Sequence, residues 1–231
     1  MAGDTGSQQQ RSRSRTVRVW DVPVRFFHWL LVALIVISFT TAQIGGNAMQ
    51  IHELSGFTIL GLVLFRVLWG VFGGTHARFI DFVHHPRQAM SYARSLLQGR
   101  APFYAGHNPL GGWMVVALLV CLLVQAGTGL FANDDIMTEG PLYKWVSKQT
   151  SDTLSSIHSA NFYVLAALMA LHIAAALYYL MGKGQNLIAS LFTGRKQLPE
   201  GQDAPEAREG SLWLALLLLA LCASAVYLLV R

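Results

Sequence analysis

The chain has 231 residues, of which 53% are hydrophobic and only 13% are charged. A soluble domain of this length usually carries about a quarter charged residues, so the composition excludes an ordinary soluble domain. The formal charge of +5 does not indicate nucleic-acid binding, because no basic stripe interleaved with aromatic residues occurs on a soluble segment.

Long apolar runs predict five transmembrane helices, since about 20 apolar residues are needed to cross the hydrocarbon layer. In chain order the expected spans are residues 26–44, 53–73, 111–131, 157–181 and 211–230. A large all-helical soluble core is a poor alternative, because such cores rarely contain a run like LWLALLLLALCASAVYLLV. Between the spans, helical spacing at 86–99 predicts a surface helix, PLYKWVSK at 141–148 could be a short interfacial helix, and 182–210 is expected to be irregular.

Lysine and arginine residues concentrate in three segments on one side of the predicted bundle. They are Arg11, Arg13, Arg15, Arg18, Arg25, Arg78, Arg87, Arg94, Arg100, Lys183, Arg195, Lys196 and Arg208. Their excess predicts a cytoplasmic N-terminus and a C-terminus on the outer side. An alternative is that the Arg-rich start belongs to a cleaved signal peptide ending near TTAQ at 40–43, which would remove His28.

Four of the eight histidines lie in or at the ends of predicted spans, where an ionisable group suggests a function. They are His28, His52, His158 and His172; the others, His76, His84, His85 and His107, lie in the basic loop, where solvation is the default interpretation. The topology places His52 and His158 near the outer side and His28 and His172 near the cytoplasm. The 14 residues from His158 to His172 correspond to about 21 Å and nearly four turns of helix, so both rings share a face.

Two histidines at each of two depths predict two b haems, because a low-spin haem iron takes one axial ligand on each side of the macrocycle. The outer haem would be bound by His52 and His158, and the inner haem by His28 and His172. Zinc fits less well, since no Cys, Asp or Glu joins either pair. Taken singly, His28 could be an interfacial anchor and His52 a loop residue. Covalent c-type attachment is excluded because no C-x-x-C-H motif is present.

Two arginines and two glycines could contribute to the same sites. Arg66 follows His52 by 14 residues and should face the inner haem, where it could bind a propionate; the alternative is that it snorkels to the surface. Arg25 has the same two interpretations. Gly56 and Gly127 could let a flat ligand approach the backbone, or could serve only helix packing.

Several motifs resemble the bacterial cytochrome b561 family, which includes the b-type membrane subunits of nickel–iron hydrogenases. They are VWDVPVRFFHW at 19–29, H-E-x-x-G at 52–56, FRVLWGVFG at 65–73, GHNPLGGW at 106–113, QAGTGLF at 125–131, and the pair His158 and His172 followed by QNLIASLFTGRK at 185–196. The similarity covers roughly residues 17–198.

The resemblance implies an all-α integral membrane four-helix bundle carrying two b haems, to which this chain adds a C-terminal transmembrane helix. The expected organisation is a disordered cytoplasmic tail (1–18), the di-haem domain (19–198), a cytoplasmic linker (199–210) and the fifth helix (211–231). Electrons would pass between a periplasmic partner or small substrate and the quinone pool of the bacterial inner membrane, with possible quinone oxidoreductase activity. Arg25, Arg66 and His107 lie at the level of the expected quinone contacts.

The expected partners are the lipid membrane, quinone, and a periplasmic cytochrome c or a dehydrogenase or hydrogenase subunit. A homo-oligomer is left open, and nucleic acid is not expected. Two other classes compete with electron transfer: a transporter or proton relay that uses the membrane histidines, and a haem-free membrane anchor. A reduced-minus-oxidised spectrum separates them, since only the first class predicts two haems per chain.

Overall fold

The computed structural model describes residues 15–136, 138–198, 204 and 207–231. Within these residues, five helices are long and apolar enough to cross a membrane. They are α1 (Val22–Ile44), α2 (Met49–Phe72, entered through a 3-10 turn at Gly46–Ala48), α5 (Pro109–Gly129), α6 (Lys148–Lys183) and α8 (Leu212–Val230). The predicted helical membrane architecture and its five spans are confirmed.

Shorter elements connect the spans. They are β1 (Thr16–Arg18), α3 (Phe79–Phe82), α4 (Pro86–Leu97), a 3-10 turn (Tyr143–Trp145), α7 (Leu187–Thr193) and β2 (Arg195–Gln197). Helix α4 agrees with the helix predicted at 86–99, whereas α7 and β2 contradict the expectation that 182–210 is irregular. Strand β1 likewise contradicts disorder at the end of the tail; residues 1–14 and most of the linker (199–203, 205 and 206) lie outside the described residues.

The two strands clasp the start of α1 to the segment that follows α6. They pair antiparallel, with Val17 opposite Lys196, and Val17 is buried with Val19 and Leu198. The N–H groups of Val19 and Trp20 donate to the carbonyl of Gly194 at 2.8 and 3.1 Å. Gly194 ends α7 with φ 77°, a left-handed conformation that glycine adopts without strain.

Side chains just ahead of the helices set where they begin. Asp21 accepts a hydrogen bond from the N–H of Val24 at 3.0 Å and so caps α1 at Val22. Asn108 accepts from Gly111 at 2.8 Å and caps α5 in the same way. Helix α6 departs furthest from expectation, because it begins at Lys148 rather than near 157 and runs for 36 residues without interruption.

Helix α2 is the centre of the bundle. It packs against α1, α5 and α8, while α5 packs along α6. Its side chains Val63, Phe65 and Trp69 are almost completely buried. Helix α8 contributes a stripe with helical spacing to the α2 contact: Ala215, Leu218, Cys222 and Val226.

The bundle has two ends that matter for the sites. The N-terminal face is formed by residues 15–21, 73–108, 184–198 and 207–211, and the opposite face by residues 45–48, 130–136 and 138–147. Among the described residues, α6 meets α1 and α2 mainly through side chains such as the stacked rings of Phe39 and Phe162, whose centres are 5.5 Å apart. This wide spacing suits a flat group held between α6 and the α1–α2 pair.

Candidate haem-binding sites

The structure brings together both histidine pairs that the sequence predicts. The ring centres of His52 and His158 are 6.3 Å apart, and those of His28 and His172 are 6.5 Å apart. An imidazole nitrogen binds a transition metal at about 2 Å, so two rings on opposite sides of one metal have centres about 6 Å apart. Among the described residues no third His, Cys, Asp or Glu joins either pair. The donor set therefore fits an iron that brings its own equatorial ligands, as haem does.

Neighbouring helices fix the orientation of the two histidines nearer the opposite face. Nδ1 of His52 donates to the carbonyl of Ser38 on α1 at 2.9 Å, and Nδ1 of His158 donates to the carbonyl of Gln125 on α5 at 2.8 Å. A carbonyl can only accept, so each ring carries its hydrogen on Nδ1 and keeps the lone pair on Nε2. Such a bond is the usual arrangement of a metal-ligating histidine.

The amide of Gln125 lies at the ligating edge of His158 and is itself held by Asn161. The Gln125 amide nitrogen lies 3.0 Å from Nε2 of His158, and the Gln125 amide oxygen accepts from Asn161 at 2.7 Å. Asn161 also donates to the carbonyl of Cys121 at 3.0 Å. Polar groups within a membrane helix need such partners, and here they lie beside His158.

The inner pair, at the end near the N-terminal face, has a different environment. Among the described residues, the buried side-chain polar atoms without a hydrogen-bond partner are Nδ1 of His28, Nε1 of Trp29, one Nη of Arg66 and Nδ1 of His107. All four lie in this half of the bundle. Buried donors are almost always satisfied in proteins, so this end fits a ligand that supplies acceptor oxygens, such as the propionates of a haem.

Arg66 is buried, with a side chain only 3% exposed. Its guanidinium lies over the rings of Phe79 and Phe82, at 5.4 and 5.8 Å from their centres. The alternative in which Arg66 snorkels to the surface is therefore wrong. An arginine buried in apolar surroundings calls for an anion, and the nearby Asp21 carboxylate already accepts from the backbone of Val24 and from Nε1 of Trp69.

Arg25 has a structural role that neither sequence interpretation anticipated. Its guanidinium donates to the carbonyls of Leu191, at 3.3 Å, and of Phe192. It thereby satisfies carbonyls at the C-terminal end of α7, which otherwise lack partners. Trp29 reinforces this contact by stacking on Phe192, with ring centres 4.1 Å apart.

His107 lies at the predicted level, between the rings of Trp20 and Phe82, at 4.7 and 4.6 Å from their centres. The residue as a whole is partly exposed, but its Nδ1 is buried. Burial and, secondarily, the charge of Arg66 lower the pKa of His107 to about 3. The ring is therefore neutral at physiological pH and can act as a hydrogen-bond donor or acceptor.

The glycines divide into two kinds. A Cβ at Gly129 would lie 3.0 Å from Cε1 of His158, so the missing side chain is what lets that ring sit against α5. At Gly56 and Gly127 an added Cβ would meet nothing within 4 Å. These two positions therefore do not serve close helix packing, and they leave room for a flat ligand.

Several contributors to these sites escaped the sequence analysis. The carbonyls of Ser38 and Gln125 act through the backbone, which no residue type reveals. Trp29 adjoins His28, with ring centres 5.0 Å apart. The sequence gives one indication of its role, its place in the motif VWDVPVRFFHW. Helices α2 and α6 run unbroken past their histidines, unlike the interrupted helices that transporters use at their substrate sites.

Comparison with known proteins agrees with this geometry. A family model described as prokaryotic cytochrome b561 matches residues 19–194. A probable Ni/Fe-hydrogenase B-type cytochrome subunit of Bradyrhizobium diazoefficiens is 23% identical, with 85% of this chain and 92% of the relative covered. Proteins with the same description are 25% identical in Rhizobium leguminosarum (88% and 98% covered) and 26% identical in Azotobacter vinelandii (88% and 97% covered). No solved structure matches the chain.

Proposed function

The chain belongs to the prokaryotic cytochrome b561 family, whose members transfer electrons in membranes through b-type haem, and we propose that it carries two such haems. In this proposal His52 and His158 bind the outer haem, and His28 and His172 bind the inner haem. The observation that supports it is the pair of ring separations, 6.3 and 6.5 Å, at two levels of one bundle. Each haem, when bound, supplies a one-electron carrier inside the bilayer.

The protein's own residues bind, orient and tune these groups. The carbonyls of Ser38 and Gln125 hold the outer imidazoles in the ligating tautomer. Near the inner pair, Arg66 and Trp29 offer buried donors that match propionate oxygens. The surrounding apolar helices exclude water, which keeps electrostatic interactions at the inner site strong.

The spacing of the two levels suits transfer across a bilayer. His158 and His172 are 14 residues apart in one uninterrupted helix, which corresponds to about 21 Å along the axis. The hydrocarbon layer is about 30 Å thick, so the two levels together cover most of it. We propose that the opposite face lies on the periplasmic side and the N-terminal face on the cytoplasmic side, because lysine and arginine are in excess at the N-terminal face. Electrons would enter at the opposite face and leave at the N-terminal face.

The redox partners are inferred from the relatives and from the chemistry of the inner end. The relatives are described as subunits of Ni/Fe-hydrogenases, so we propose a periplasmic hydrogenase as the donor, with a cytochrome c or another dehydrogenase as alternatives. At the inner end, a membrane quinone is the proposed acceptor. We propose that His107 and Arg66 contact its oxygens or the propionates beside it.

Haem content in the purified protein tests the proposal. The wild-type protein should show a b-type reduced-minus-oxidised spectrum with two haems per chain. His172→Ala should lose the inner haem and keep the outer, and His52→Ala the reverse. His84→Ala, in a surface loop where Nδ1 bonds only the carbonyl of Phe82, is the matched control and should keep both. A colourless wild-type protein, or full haem content in both ligand variants, contradicts the proposal.

A further inference from the structure

A chain of hydrogen-bonded hydroxyls lies between the inner histidine level and the N-terminal face. The hydroxyls of Tyr179 on α6 and Tyr92 on α4 are 2.7 Å apart, and the Asn108 amide nitrogen donates to Tyr179 at 2.9 Å. Tyr179 follows His172 by seven residues, about 10 Å along the axis and almost two full turns, so it lies on the same side of α6. The electron-transfer proposal gives this chain no role.

Asn108 fixes the direction of one hydrogen bond in this chain. Oδ1 of Asn108 accepts from the N–H of Gly111 at 2.8 Å, which leaves the amide nitrogen to face Tyr179. Tyr179 accepts from Asn108 and keeps a second lone pair, so either phenol can be the donor in the bond between Tyr179 and Tyr92. When Tyr92 donates to Tyr179, the hydrogen of Tyr179 is left for another acceptor, and no such acceptor is found among the residues that the structure describes.

Tyr92 forms the end of the hydroxyl chain on α4. Tyr92 is buried, only 5% exposed, on an amphipathic helix whose neighbouring residues Ser91 and Arg94 face outward. Its ring lies edge-on to Tyr104, with centres 5.5 Å apart. Burial and the bond to Tyr179 raise the pKa of Tyr92, so the phenol stays neutral, as a hydroxyl that relays protons must.

We propose that Tyr179 and Tyr92, held by Asn108, relay protons between water at the N-terminal face and a quinone bound beside the inner haem. This inference rests on the proposed function. Reduction of one quinone to quinol consumes two electrons, delivered singly through the protein, and two protons. For each proton, Tyr92 takes one from water and passes its own to Tyr179, which passes its own to a quinone oxygen. One O–H bond breaks and one forms at each hydroxyl, so both phenols end neutral, and oxidation of quinol runs in reverse.

The test compares Tyr179→Phe and Tyr92→Phe with Tyr178→Phe. Tyr178 is the control because it is adjacent, 45% exposed and outside the hydroxyl chain. We expect each relay variant to lower the rate of haem oxidation by a short-chain quinone about tenfold or more, which is the lower range for loss of a positioned proton-transfer group. The double variant should be little worse than either single one, since both act in one chain.

Two readouts that do not depend on turnover separate a relay from a structural contact. Infrared difference spectra recorded on quinone reduction should contain tyrosine bands that disappear in Tyr179→Phe but persist in Tyr178→Phe. Hydrogen exchange of α4 should be the same in the wild-type protein and in every variant. Unchanged rates in both variants overturn the proposal, as does a rate loss that parallels loss of protection in α4. A wild-type protein that binds haem but never reacts with quinone contradicts the proposed function instead.

Discussion

The imidazole of His52 is held by the helix next to its own: its Nδ1 lies 2.9 Å from the backbone carbonyl oxygen of Ser38. His158 has the equivalent bond to the carbonyl of Gln125. In the inner pair, Nδ1 of His28 is buried without a hydrogen-bond partner in the part of the chain that the structure describes. Backbone carbonyls thus orient both imidazoles of the outer pair but not that of His28, although the two ring separations are nearly the same.

This difference predicts two distinct midpoint potentials. A hydrogen bond from Nδ1 makes a ligating nitrogen more basic and stabilises the oxidised iron, whereas the positive charge of Arg66 would stabilise the reduced iron of the proposed inner haem. The outer haem should therefore titrate at the lower potential, which favours electron flow toward the N-terminal face. A potentiometric titration should show two waves, and His172→Ala should remove the higher one. Loss of the lower wave instead would refute this ordering.

Replacing Arg66 isolates the electrostatic part of that difference. Arg66→Met keeps the buried volume but removes the charge, so the potential of the inner haem should fall by tens of millivolts, where about 60 mV for one electron corresponds to about 1.4 kcal/mol. The outer potential should not move. Arg18→Gln is the control, because Arg18 is an exposed arginine on the same face, paired with Glu209 at 2.6 Å. Equal shifts in both variants would mean that the guanidinium of Arg66 does not act on the inner haem.

Gly129 is expected to be required for the outer haem. In Gly129→Ala the new methyl group would lie 3.0 Å from Cε1 of His158, and overpacking of this kind typically costs about 1–3 kcal/mol. Because the ring must tilt, we expect reduced occupancy of the outer haem with full occupancy of the inner one, measured by haem quantitation and spectra. Gly61→Ala is the control, since its methyl group would make only an ordinary contact of 3.9 Å with Val226. An unaffected spectrum in Gly129→Ala would show that the His158 ring can move away from the added methyl group and still bind haem.

The pKa of His107 predicts how stability depends on pH. Its pKa is about 3 in the folded protein and about 6.5 in the unfolded chain, so between these values the unfolded state binds one more proton. The free energy of unfolding should therefore fall on acidification below pH 6.5, by about 1.4 kcal/mol per pH unit from this residue.

His107→Gln removes that contribution and should flatten the dependence between pH 6.5 and 5. Thermal unfolding in detergent, followed by circular dichroism at several pH values, measures the slope for each protein. Burial also lowers the pKa of His76, and this residue is unchanged in the variant, so the difference between the two slopes reports the loss of His107. Parallel slopes in the two proteins would contradict burial of the His107 ring as the cause of its low pKa.

The histidine pairs could be predicted from the sequence because helical geometry is regular. A rise of 1.5 Å and 100° per residue fixes both the depth and the direction of His158 and His172 once the span is known. Apolar composition identifies the spans, because a chain segment that crosses the hydrocarbon layer must satisfy its backbone hydrogen bonds internally, as a helix does. These two regularities were enough to predict which rings meet.

Other features depend on contacts that leave no such pattern. Strands β1 and β2 have three residues each and pair segments about 180 residues apart, so neither shows an alternation long enough to detect. Arg25 was assigned to the interface by its position, but its partners are carbonyls of α7, 166 residues further on. The bonds from His52 and His158 also end on backbone atoms, which every residue type possesses.

The length of α6 has a consequence for the approach of a redox partner. Its 36 residues measure about 54 Å, far more than the hydrocarbon thickness of about 30 Å. The ten residues from Lys148 to His158 place His158, a proposed haem ligand, about 15 Å from the N-terminal end of this helix. A redox partner that contacts only the N-terminal end of α6 would remain too far from His158 for fast electron tunnelling. An efficient donor must therefore bind beside α6, against the loop that carries Asn133 and Trp145.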